Sequence, residues 1–160
     1  MSVSASIDLR VIQSNTGNPV APVHALEILM DHGWSLQHDG YVYYLPLGHD
    51  DPFDCITEMM SIKSLLEILR IKEAQSELIV VSLTWENTNI GGSLFLYDAN
   101  KALHDNIDTP IGFSLDKNRK KLIRNDSLEM TDVNWYLEKL LPTFNGDNTF
   151  VEHFTYNEHR

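Results

Sequence analysis

The stretch "LGHDDPFDC", residues 47 to 55, sets His49, Asp50, Asp51, Asp54 and the chain's one cysteine, Cys55, within nine positions. Residues of those types could ligate a metal ion, pass a proton between carboxylates or support a thiolate nucleophile. Each chemistry demands a spacing. A calcium loop needs oxygen ligands at regular alternate positions and a glycine at its sharp turn, and Pro52-Phe53 interrupts that pattern. Zinc sites favour closely spaced cysteine or histidine pairs, and the chain contains no CxxC, HxH or HExxH. A reactive thiolate needs a lowered pKa, whereas Asp54 and Glu58 beside Cys55 raise it. Asp50 and Asp51 could do acid–base work, yet any acidic surface offers such pairs. The expectation is therefore an acidic loop that starts a helix, with Asp51 or Asp54 as the cap. No metal, no cofactor and no catalytic residue is assigned.

Other candidate motifs fare similarly. "NTNIGGS" at 87 to 93 has adjacent glycines but neither a GxxxxGK[ST] nor a GxGxxG pattern, so it reads as a turn. GxSxG is absent. The basic cluster "KNRKK" at 117 to 121, extended by Arg124, lacks interleaved aromatic residues and reads as a charged hairpin tip. Seven histidines are scattered along the chain.

Charge distribution says more. Twelve basic residues against 23 acidic ones give a net charge of −11, which repels nucleic acid and anionic membrane surfaces. From Val11 to Ile62 there is no lysine or arginine, while Glu27, Asp31, Asp39, Asp50, Asp51, Asp54 and Glu58 supply seven carboxylates. Such a stretch suits a cationic partner. No apolar run approaches the ~20 residues of a membrane span, and "MSVSASIDLR" lacks the basic-then-apolar order of a signal peptide. With one cysteine, no internal disulfide can form. A cytoplasmic location is the expectation.

The elements that must position these residues follow from periodicity. "ASIDLRVIQ" alternates like a half-buried strand, and Val23, Leu26, Leu29 and Met30 mark a helix from Pro22 to about His32, stopped by Gly33. "WSLQHDGYVYYLPL" predicts two strands around an Asp39-Gly40 turn. Ile62, Leu65, Leu66 and Leu69 mark a second helix, drawn from Asp54 to Ala74. "LIVVSLTWE" and "GSLFLYDA" predict a hairpin, and "PIGFSLDKNRKKLIR" another with its turn at Asp116 to Arg119. A third helix, capped by Thr131 and closed by Pro142, precedes a last strand, "TFVEHFTY". This order predicts an α+β fold, a largely antiparallel β-sheet with about three α-helices, in a single domain over residues 1 to 160.

"VVSLTWENTNIGGSLFLYD" and "GWSLQHDGYVYYLPLG" resemble bacterial immunity proteins encoded beside polymorphic toxins, including those of contact-dependent growth inhibition systems. The resemblance covers about a quarter of the chain. It implies a non-enzymatic cytoplasmic antitoxin that binds the C-terminal domain of one cognate toxin, commonly a nuclease. No binding residue carries over from the resemblance. The charge argument instead nominates Asp39, Asp50, Asp51, Asp54 and Glu58 for a basic toxin surface, with Trp34, Tyr43 and Tyr44 as aromatic anchors. A small metal-dependent hydrolase using His49 and Asp51, and a generic interaction domain, are the alternatives.

Overall fold

The computed structural model describes residues 4–122, 130–146 and 148–159. In chain order the elements are β1 (Ser4–Gln13), α1 (Pro22–Met30), β2 (Trp34–Ser35), β3 (Tyr41–Tyr44), β4 (Ile56–Met59), α2 (Ile62–Ala74), β5 (Ile79–Trp85) and β6 (Gly91–Leu96). There follow α3 (Ala99–His104), β7 (Ile111–Leu115), β8 (Lys121–Leu122), β9 (Met130–Thr131), α4 (Val133–Phe144) and β10 (Thr149–His159). The fold is α+β, as its sequence pattern predicts.

One antiparallel sheet runs β10-β1-β7-β6-β5-β3-β4, with β2 also paired to β5. Strand alternation sorts its two faces. Ile7 and Leu9 of β1, Ile79, Val81 and Leu83 of β5, and Phe113 of β7 point into a core shared with Leu26 and Leu29 of α1, Leu65 and Leu69 of α2, and Tyr136 and Leu140 of α4. On the opposite face Ser6, Ser114, Ser93 and Ser82 stand in register across four neighbouring strands. No large side chain rises from that row. Farther along the same face Leu45, Leu78 and Val80 form a small second cluster, with Cys55, Phe95 and Tyr97 against it.

Several local expectations are corrected. Residues 52–59 are not the start of a helix. Pro52–Asp54 makes a single 3₁₀ turn, and Ile56–Met59 pairs with β3. β-Branched Ile56 and Thr57 favour the extended state, and Ser61 Oγ accepts from the Ser64 N–H to start α2. The second predicted hairpin does not form: β7 pairs with β1 and β6, while β8 pairs with β9 in a separate two-stranded sheet. Arg119, expected at an exposed tip, is buried and donates from Nε to Thr131 Oγ1 at 2.9 Å. Arg124 lies outside the described residues. Asp132, not Thr131, caps α4, and Pro142 sits inside its last turn. α3 adds a fourth helix.

Candidate functional site

The Asp39-Gly40 turn forms as its sequence dictates. Both residues take positive φ, +51° and +84°, and His38 and Tyr41 exchange backbone hydrogen bonds of 2.9 Å on either side of it. The chain then enters β3, where Val42 and Tyr44 point into the core and Tyr41 and Tyr43 point to the uncovered face. Across the ladder Tyr41 faces Met59, and Tyr43 faces Thr57. These two strands form one margin of the sheet.

Apolar exposure concentrates on that margin. Eleven large apolar side chains stand exposed among the described residues, and six of them, Tyr41, Tyr43, Leu47, Phe53, Ile56 and Met59, fall in this one segment. Phe53 is 97% and Met59 70% exposed. Isolated exposed apolar residues are ordinary, but Tyr41, Tyr43 and Met59 share the uncovered face of two paired strands, with Ile56 on the other face, and such a concentration marks an interaction surface. Beside Tyr41 and Tyr43 the uncovered face dips into a cleft of about 390 Å³, floored by Ser35, Ser82 and Thr84 and bordered by Thr57.

Carboxylates frame the same margin. Asp39 lies at the turn before β3, Asp51 and Asp54 at the 3₁₀ turn before β4, and Glu58 on β4 itself; all four are exposed. Their local bonds explain their positions. Asp51 Oδ1 accepts from the Phe53 N–H at 3.0 Å and caps the 3₁₀ turn. Asp54 Oδ2 lies 3.2 Å from His49 Nδ1. Glu58 Oε2 accepts from the Tyr44 hydroxyl at 2.6 Å. Burial, that hydrogen bond and the Glu58 charge together push the Tyr44 phenol up to about 12.

Three nominated residues have other tasks. Trp34 is 3% exposed, held by edge-to-face contacts with Trp85, Trp135 and Phe113, and Tyr44 is 4% exposed. Neither is a surface anchor, because both point into the helix-covered core. Asp50 is not an unopposed charge. Its Oδ1 accepts from the Leu78 N–H at 3.1 Å, and its Oδ2 pairs with Lys101 of α3. Burial alone would raise its carboxyl, but the Lys101 and Leu78 hydrogen bonds outweigh that and hold it below the ordinary value.

The loop itself is stapled by a buried lysine. Lys72 of α2 is fully buried, and its Nζ donates to Pro46 O at 2.8 Å, His49 O at 3.1 Å and Glu77 Oε1 at 3.2 Å. Glu77 Oε1 also accepts from the Gly48 N–H at 2.7 Å. Burial raises the Cys55 thiol; the Tyr43 hydrogen bond and the Lys72 charge oppose it without cancelling it, and the Asp54 charge adds a smaller increment. Among the described residues no three His, Cys, Asp or Glu side chains are grouped to hold a metal ion, and no helix is long and apolar enough to cross a membrane.

Five margin residues, Tyr41, Leu47, Phe53, Ile56 and Met59, are not among those the sequence nominates. Phe53 alone carries a local signal, a large apolar residue between a proline and an aspartate in a charged loop. In "YVYY" the inward and outward residues are equally apolar, so alternation leaves no polarity contrast. No family model matches the chain, and neither a curated protein nor a solved structure matches it.

Proposed function

We propose that this chain is a cytoplasmic immunity protein, which binds the C-terminal domain of one cognate toxin, a basic nuclease domain, and blocks it by electrostatic and steric occlusion. One observation carries the reading: the exposed apolar group from Tyr41 to Met59 framed by Asp39, Asp51, Asp54 and Glu58. An apolar centre with a charged rim is the anatomy of a protein-binding surface. Lys72 and Lys101, the lysines that reach the 46–54 loop, are committed to its own groups. Carboxylates on this rim steer a cationic partner, and Tyr43, Phe53 and Met59 replace Trp34 and Tyr44 as the desolvated anchors. The resemblance of "VVSLTWENTNIGGSLFLYD" to immunity proteins supplies the class of partner.

The test is co-purification of the tagged protein with the product of the adjacent upstream gene, followed by calorimetry at low and high salt. Tight association that weakens with salt is the expected result. Absence of association with that product removes the immunity reading.

A further inference from the structure

Among the described residues no strand pairs with the outer edge of β4, which leaves that edge open to hydrogen bonding. The Met60 N–H donates to Gly40 O at 3.2 Å, so Met60 turns its polar backbone groups towards β3. Backbone direction alternates along a strand. Glu58 and Ile56 therefore also face β3, while the N–H and C=O groups of Thr57 and Met59 point outward, beyond the last strand of the sheet. The exchange of bonds between Tyr41 and His38, on the opposite side of β3, agrees with this phase.

Side chains on β4 make the edge adhesive rather than protected. Soluble proteins blunt an exposed edge with charged side chains, above all lysine, with proline, with very short strands or with a covering segment. β4 is short and carries one charge, Glu58, but neither lysine nor proline, and all four of its residues are exposed, so its edge turns away acidic strands and stays open to basic ones. We infer that β4 accepts an extended, basic strand of the partner, which adds to the sheet through the backbone of Thr57 and Met59. This inference rests on the protein-binding reading above and names its mode.

Register and charge define the guest strand. Side chains on its uncovered-face side lie beside Thr57 and Met59, next to Tyr41 and Tyr43, and are apolar. Side chains on its other face lie beside Glu58 and towards Asp54, and are lysine or arginine. A second copy of this chain fits less well, because edge-to-edge pairing would bring the same carboxylates together. The main-chain bonds supply affinity, and the alternating side chains supply selectivity.

The experiment uses the full chain and a short peptide alternating lysine and valine, followed by amide chemical shifts and deuterium exchange. The expected result is shifts and slowed exchange centred on Thr57 and Met59, weakened by salt and absent with a glutamate–valine peptide. Proline is tolerated where an edge N–H faces outward. Thr57→Pro should thus keep the fold, checked by circular dichroism, and weaken the peptide by about ten-fold. Met59→Lys, at a highly exposed side chain, should repel the peptide and serves if the proline variant unfolds.

Responses centred on β10 or the serine-lined face, equal response to the glutamate–valine peptide, or Thr57-dependent self-association in sedimentation would each overturn strand addition. Its failure is distinct from failure of the immunity reading. A captured toxin that binds Thr57→Pro and Met59→Lys as tightly as the parent defeats strand addition alone. A lysine–valine peptide seated on β4 when no toxin is captured defeats immunity alone.

Discussion

Lys101, in the short helix α3, places its ammonium against the Asp50 carboxylate 51 positions earlier in the chain, and Asp105 lies 3.3 Å from the same nitrogen. The contact ties the acidic loop to the far end of β6, which leads into α3. It also removes Asp50 from the charges free to meet a partner.

That pair has a pH signature. The Asp50 carboxyl is lowered in the fold, so its contribution is present above the ordinary aspartate value of about 3.9 and lost as pH falls through the lowered one. Lys101 is raised, chiefly by the Asp50 hydrogen bond, so its contribution is present below about 10.4 and lost as pH rises through the raised value. Asp50 is about half exposed, which limits the pair to roughly 1 kcal/mol. Urea unfolding of Asp50→Asn should show a deficit of that size at neutral pH that closes at strongly acidic pH.

Lys72→Met should cost far more, about 3 kcal/mol, by leaving the Pro46 and His49 carbonyls and Glu77 without their shared donor. Deuterium exchange should quicken first in residues 46–54. A uniform change across the chain would show that the ammonium stabilises the core rather than the loop.

Much of this arrangement was legible as strands and helices, and little of it as pairings. β1 shows alternation because one face is core and the other polar, as with Leu9 and Asp8, whereas β5 and β6 read as β-rich runs because Val80 and Phe95 add apolar side chains on the opposite face. β4 shows none, since all four of its residues are exposed, and Ile56 and Met59 fall at a spacing that also suits a helix. α3 escaped notice because "ANKALH" buries only Ala102. The acidic stretch carries no counter-charge in sequence because its cations arrive from later elements: Arg70 pairs with Glu27, Lys101 with Asp50, and Lys72 bonds the Pro46 and His49 carbonyls.

Glu58→Gln tests the bond that anchors β4 to β3 on the helix side. Tyr44 stands at about 12, with burial as its first cause and Glu58 next. Removing the carboxylate charge should lower the Tyr44 pKa yet leave it above the ordinary tyrosine value of about 10. Titration of its ring resonances reads this directly. A return to the ordinary value would mean that burial contributes nothing.

Gly33→Ala probes the floor of the tryptophan cluster. Gly33 has φ +100°, and an added Cβ would stand 2.5 Å from Trp85 Cη2. Backbone strain and overlap together predict a loss of about 3 kcal/mol in chemical unfolding. Trp85 packs edge-on against Trp34 and Trp135, so its near-ultraviolet dichroism should change as well.

Charge and apolar contact on the β3–β4 margin should separate kinetically in the toxin complex. Asp51→Lys with Asp54→Lys reverses two rim carboxylates, losing about 1 kcal/mol of stability from the Asp51 cap. Association at low salt should slow by at least about ten-fold, and the difference should shrink as salt rises. Phe53→Ala leaves the fold within about 0.5 kcal/mol, because its ring is almost wholly exposed. Its effect should fall on dissociation, quickened by about ten-fold or more for a buried aromatic anchor. Stopped-flow association and dissociation rates separate the two. An unchanged association rate for the double variant, or an unchanged dissociation rate for Phe53→Ala, would move the binding surface off this margin.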